Sequence, residues 1–194
     1  INWKKTPNSS KQTALKHGEL TIWYRSGQKQ ENANYNDGKL DGKKTEWYWD
    51  DQIDSESYYK DDKLDGQKTV WYENGQIRSE VNYIDDKKEG LMTLCYENGQ
   101  KCYEEDYLHD ILSKVMSWDQ NGKKKFDAYY INGKADGIWT AWYEDGQKKL
   151  ESNHKDGKLH GRVIRFSENG QKSSEVLYKN GLEEGVSTAW YEDG

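Results

Sequence analysis

The sequence is short of proline, cysteine, methionine and phenylalanine. It has one proline (Pro7), two cysteines, two methionines and two phenylalanines in 194 residues. A chain almost free of proline can extend backbone ladders without losing donors. Two cysteines make no disulfide framework. Hydrophobic residues reach only 32%, against roughly 45–50% in a typical soluble domain, so a thick core is excluded. No apolar run approaches the about 18 residues of a membrane-spanning helix. Positive charge is also in deficit. Lys plus Arg total 29 against Asp plus Glu 35, a formal net charge of −6. This opposes attraction to nucleic-acid backbones and to anionic lipid surfaces. No signal-peptide pattern stands at Ile1. The compartment is left open between the cytoplasm, slightly favoured, and export or surface attachment after loss of a leader.

What is abundant is aromatic. Nine Trp and fifteen Tyr set the chain apart from a disordered one of similar charge. They predict a thin, aromatic core one layer deep.

The aromatics recur with a period. Glycines stand at Gly18, Gly42, Gly66, Gly90, Gly137, Gly161 and Gly185, 24 residues apart except across the fourth interval. That interval holds one 24-residue unit and one 23-residue unit, read as starting at Lys114. The array thus runs over 18–194, with units starting at 18, 42, 66, 90, 114, 137, 161 and 185, after a lead-in over 1–17. A fixed period of this length marks a repeat architecture. The unit reads G-x-x-T-x-W-Y-x-N-G-Q-x-x-x-E-x-x-Y-x-D-G-K-x-D, most clearly over 66–89. The tryptophan column is Trp23, Trp47, Trp71, Cys95, Trp118, Trp142, Phe166 and Trp190. The next position holds Tyr24, Tyr48, Tyr72, Tyr96, Asp119, Tyr143, Ser167 and Tyr191.

Each unit carries two turn signals, as in Glu73-Asn74-Gly75-Gln76 and Asn36-Asp37-Gly38-Lys39. Both are read as three-residue hairpin loops, a type I turn followed by a left-handed residue. Where glycine is missing, Asp replaces it at Asp51, Asp62, Asp86 and Asp110, as expected of a residue that tolerates positive φ. The intervening segments, rich in Thr, Trp, Tyr and Val, read as strands. The expectation is an all-β fold: an elongated, single-layer antiparallel β-meander of roughly sixteen strands, two per hairpin unit. A three-residue loop would place Trp71 on one face with Ser79, Val81 and Tyr83. Tyr72-type tyrosines and Glu80-type carboxylates would share the other face.

The aromatic pair, the N-G and D-G turns and the stretch Tyr35-Asn36-Asp37-Gly38-Lys39-Leu40-Asp41-Gly42 resemble the MORN repeat in its bacterial variant form. With W-Y-x-N-G-Q and E-x-x-Y, the units look most like the YwqK family of antitoxin or immunity proteins. That resemblance implies a non-catalytic protein that neutralises a toxin domain by binding it. Other MORN proteins are scaffolds, and some are linked to membrane lipids. Cys95, Phe166, Asp119 and Ser167 depart from the aromatic pair.

No catalytic constellation stands out. The carboxylate column Glu56, Glu80, Glu104, Asp127, Glu151 and Glu175 recurs at roughly 10 Å, two strand spacings, and reads as structural rather than as a glycosidase pair. His17, His109, His154 and His160 read as solvated turn residues. Asp61-Asp62-Lys63-Leu64-Asp65-Gly66 lacks the calcium-loop ligand pattern. Cys95 and Cys102 are expected to point apart and stay reduced. No metal, cofactor or nucleic acid is called for. The surface expected to meet a partner protein is an aromatic, acidic face: Tyr24, Tyr48, Tyr72, Tyr96, Tyr143 and Tyr191 with Glu56, Glu80, Glu104 and Glu151. Open sheet edges would also allow self-association.

Overall fold

The computed structural model describes residues 2–4 and 15–191. Pro7, Ala14 and residues 192–194 lie outside them. The described residues form eighteen strands and no helix. They fall into two compact units, Ile1–Gly99 and Gln100–Gly194.

The first unit holds β1 (Asn2–Lys4), β2 (Leu15–Trp23), β3 (Lys29–Asn36), β4 (Lys39–Trp47), β5 (Ile53–Lys60), β6 (Lys63–Trp71), β7 (Ile77–Ile84) and β8 (Lys87–Cys95). Each pairs antiparallel with its sequence neighbours. The second holds β9 (Lys101–Leu108), β10 (Ile111–Trp118), β11 (Lys124–Ile131), β12 (Lys134–Ala135), β13 (Gly137–Trp142), β14 (Lys148–Lys155), β15 (Lys158–Phe166), β16 (Lys172–Lys179), β17 (Leu182–Glu183) and β18 (Thr188–Ala189). Here β12 with β13, and β17 with β18, are each one repeat strand interrupted midway, both halves lying against the same neighbour. Each unit is therefore an antiparallel meander, as the turn spacing implies.

The two turns of the repeat differ, which corrects the expectation that both are three-residue loops. In the first, Tyr72 N–H donates to the Gln76 carbonyl and Gly75 N–H donates to the Tyr72 carbonyl, each at 2.9 Å. Glu73, Asn74 and Gly75 form the three-residue loop. In the second, Asn36 pairs directly with Lys39. Asp37 and Gly38 have φ of 46° and 91°. Two central residues with positive φ make a type I′ turn, whose twist matches the strands it joins. Asp61-Asp62, Asp85-Asp86 and His109-Asp110 adopt the same conformation. The aspartates in the glycine position add a bond: the Asp62 carboxylate accepts Leu40 N–H, and Asp86 accepts Leu64 N–H, both at 2.7 Å.

The faces differ from expectation for a related reason. Trp71 pairs with Ile77, as the three-residue loop requires, but Val70 pairs with Ser79. Arg78 is an extra residue, a β-bulge, and it reverses the facing of everything beyond it. Thr69 stands opposite Glu80, and Lys68 opposite Val81. Alternation along β6 therefore puts Trp71 with Thr69 and Glu80. Tyr72 faces the other way, with Ser79, Val81 and Tyr83.

A second irregularity explains the repeat glycine. Tyr59 pairs with Leu64 and Ser57 with Lys68, so β6 carries extra residues around Gly66. Gly66 has φ of +123°, and a Cβ there would lie 2.9 Å from the Tyr58 Cβ. In the short repeat, Tyr107 pairs with Leu112 and Asp106 with Lys114. Only Ser113 is extra, and neither it nor Lys114 takes positive φ. The missing residue is thus lost from the bulge just before Lys114, and the ladder beyond it is intact.

The core is made of small residues, not of the aromatics expected. Ala33, Ser57 and Val81 in the first unit, and Ala128, Ser152 and Val176 in the second, are buried at one position of the repeat. Thr45, Thr69 and Thr140 are buried on the opposite face. The aromatics flank these columns, with Trp23 still 55% exposed. In an uncovered sheet, large side chains lie across their neighbours, and only short ones between them lose all contact with water.

Candidate partner-binding surfaces

The Tyr24-type tyrosines sit where the strand leaves the sheet for the three-residue loop. Four of them reach into the next repeat. The hydroxyls of Tyr24, Tyr48 and Tyr72 donate to the carbonyls of Trp47, Trp71 and Cys95 at 2.9, 2.6 and 2.8 Å. Tyr143 does the same to Phe166 at 2.7 Å. The phenol spans two strands and satisfies a carbonyl at the strand end. At the other end of the repeat, turn N–H groups of Gly38, Asp62 and Asp86 donate to the carbonyls of Lys16, Leu40 and Leu64. Successive hairpins are clamped at both ends. Tyr191, the last of the predicted tyrosines, is 87% exposed.

The carboxylates occupy the other face and are engaged. In the first unit, Thr21, Asn32, Thr45, Glu56, Thr69, Glu80 and Thr93 stand opposite one another across successive strands. Glu56 pairs with Lys43 at 2.5 Å, and Glu80 accepts from the Gln67 carboxamide. In the second unit Lys101 pairs with Glu104. Lys124–Asp127, Lys148–Glu151 and Lys172–Glu175 follow at 2.6, 2.6 and 2.7 Å. The bulge makes this possible, bringing the residue three positions before the carboxylate onto its face. Lys124 also lies over the Trp142 ring at 4.5 Å.

Tyr24, Tyr48, Tyr72 and Tyr143 are thus on the face opposite the predicted carboxylates, and both sets are engaged in cross-strand networks. They do not form one aromatic, acidic surface. What reaches solvent instead is the row of three-residue loops. Glu73, Glu97, Glu144 and Glu168 occupy the first loop position and are exposed. Trp49, in the same position, is 70% exposed. Composition alone marks Trp49, since every other residue at this position is polar.

The histidines are mostly not turn residues. His109 is exposed in its turn, but His17, His154 and His160 lie half-buried in strands. Each has a buried Nδ1 without a hydrogen-bond partner. His154 stacks on Trp139 with ring centroids 4.4 Å apart, and burial lowers its pKa below the ordinary histidine value. Asp61 and Asp62 belong to a type I′ turn, where Asp61 pairs with Lys39 at 3.2 Å. Cys95 and Cys102 carry free thiols. Among the described residues, no group of three or more His, Cys, Asp or Glu could hold a metal ion, and no helix is long and apolar enough to cross a membrane.

No curated protein matches the chain. Four segments, residues 16–37, 64–85, 135–156 and 159–180, match the MORN repeat variant family. Each runs from two residues before a repeat glycine to the type I′ turn, so the matched block is one β-hairpin with its three-residue loop, and over these four segments the chain is similar to the MORN repeat variant, a similarity that suggests a repeat-based binding or scaffold module.

Proposed function

We propose that the chain is a non-catalytic binding module for a basic protein, and that it acts by neutralising that partner. One observation carries the binding reading. A sheet without a second layer holds its aromatic columns half exposed, beside a row of unburied loop glutamates. Aromatic anchors within an acidic rim suit a basic protein surface, where opposite charge speeds encounter and selects the partner. The resemblance of the W-Y-x-N-G-Q and E-x-x-Y units to the YwqK family makes a toxin domain the partner of choice.

The test is capture from lysate and culture medium of the source organism, followed by reconstitution with the purified candidate. The expected result is a stoichiometric complex with a basic protein whose toxicity is relieved by coexpression. Growth that coexpression fails to rescue would eliminate neutralisation, and a purified candidate that does not bind would eliminate that partner. A scaffold is the second reading. It is favoured by Leu182 and Val186, which are 75% and 84% exposed beside β17 and β18. It predicts concentration-dependent self-association in sedimentation velocity, whereas a binding module stays monomeric.

A further inference from the structure

The tyrosine staple has a companion in some repeats. Arg78 lies over the Tyr72 ring at 5.8 Å and Lys149 over Tyr143 at 5.4 Å. In both pairs the cation comes from the bulge position, six residues after the tyrosine. The repeat that begins at Gly161 has neither member. Ser167 stands at the tyrosine position and Ser173 at the cation position. Both are half-buried.

Two short side chains where two long ones stand elsewhere leave an open groove of about 560 Å³, lined by Tyr143, Phe166, Ser167, Glu168, Asn169 and Ser173. Its chemistry is one-sided. One wall is the Tyr143 ring, whose hydroxyl donates to the Phe166 carbonyl. The Ser167 and Ser173 hydroxyls can accept hydrogen bonds, and the Glu168 carboxylate is exposed. No cation lines it. A serine side chain is too short to make the bond that the tyrosine hydroxyls make to a carbonyl of the next repeat.

An anion would meet Glu168, and a neutral apolar group would leave the carboxylate uncompensated. A guanidinium fits each feature. It is planar, lies flat on aromatic rings, carries a permanent positive charge and directs five N–H donors at surrounding acceptors. An ammonium supplies the charge but not the flat stacking surface. Lys149 already lies over the Tyr143 ring, so an external cation would meet that ring from the side of Ser167 and Ser173.

We propose that this groove receives an arginine side chain from the protein partner. The inference rests on the binding reading above and names what that partner must present. The experiment is a titration of the full chain, followed by amide chemical shifts, with acetyl-Gly-Arg-Gly-amide and with the same peptide carrying citrulline, a neutral isostere. The arginine peptide should shift the amides of Ser167, Glu168 and Ser173. Citrulline should bind about ten-fold more weakly, the factor expected when a cation–aromatic contact and its ion pair are lost. Ser167→Tyr fills the groove with the chain's own staple and should abolish these shifts. Glu168→Gln, a surface change that leaves the fold alone, should weaken binding several-fold. Equal binding of citrulline and arginine peptides, or unaltered titration of Ser167→Tyr, would overturn the proposal. A reconstituted partner whose affinity Ser167→Tyr leaves unchanged would also overturn it, while the binding reading stood. Arginine-selective shifts at these residues in a chain that captures no protein would support the groove and count against the wider reading.

Discussion

The two units solve the same repeat with different degrees of regularity. In the first, Tyr24, Tyr48 and Tyr72 staple three successive repeats, and Gly18, Gly42, Gly66 and Gly90 all take positive φ. In the second, Asp119 and Ser167 interrupt the tyrosine column and Ser113 replaces a repeat glycine. At the first gap a different bond stands in: Lys123 Nζ donates to the Glu144 carbonyl at 2.6 Å. At Ser167 the gap becomes the groove beside Tyr143. The comparison separates what the ladder requires, which is pairing and turn geometry, from what it merely gains, which is the staple.

The largest contrast should come from the bulge. Gly66→Ala forces a side chain into φ of +123° against Tyr58, and should cost about 2–3 kcal/mol. Ser113→Ala, at the matching place in the second unit, removes only exposed hydroxyl bonds to Asp106 and should cost less than about 1 kcal/mol. Denaturant titrations of both variants would show it, and equal losses would break the comparison. Next is the staple. Tyr48→Phe removes the donor to the Trp71 carbonyl and should cost about 1 kcal/mol, whereas Ser167→Tyr should shift the melting temperature upward by supplying one.

The third contrast is with pH. His154 has its pKa lowered by burial against Trp139, so folding binds the neutral form. Its contribution is full above the ordinary value of 6.5 and is lost as pH falls through that value toward the lower folded one. His154→Tyr, which restores the residue the repeat prefers there, should flatten the melting curve between pH 7 and about pH 5. An unchanged slope would place the acid sensitivity elsewhere.

The smallest effect belongs to the ion-pair network of the first unit. Burial pulls Lys44 down, but hydrogen bonds and attraction from Glu46 and Glu31 prevail and raise it. Burial pushes Glu46 up, but bonds from Lys44 and Ser55 prevail and lower it. The lowered Glu46 stabilises above its ordinary 4.5 and loses that as pH falls; the raised Lys44 stabilises below its ordinary 10.5 and loses that as pH rises. Glu46→Gln should cost less than about 1 kcal/mol, since the pair is partly solvated, and only within that window.

Much of this was legible in the residues, for reasons that can be named. The period, the hairpins and the three-residue loop follow from Asn-Gly and Asp-Gly at fixed offsets, because few residues accept positive φ. The Asp-Gly pair also fits a type I′ turn, and residue identity alone does not separate the two. The faces were not legible. The bulge falls on Gln30, Asp54, Arg78, Lys125, Lys149 and Ser173, a set with no common chemistry. Such a bulge is held by the backbone and leaves no mark in composition, yet it moves Glu80 from beside Tyr72 to beside Trp71. The tyrosine staple was hidden for a similar reason, since a half-exposed tyrosine column looks the same in sequence whether its hydroxyls meet a partner or a carbonyl of the next repeat.

The bulge before Lys114 has a consequence for how such arrays change over generations. Tandem copies of one coding segment gain and lose short stretches readily when they are replicated. A missing codon inside a paired strand would turn all later side chains to the wrong face. Here the loss falls in a segment that already holds residues in excess of the ladder, so the unit shortens from 24 to 23 residues while its neighbours keep their alignment. The bulge works as slack in the chain, a place where the gene can be edited without rewriting the rest.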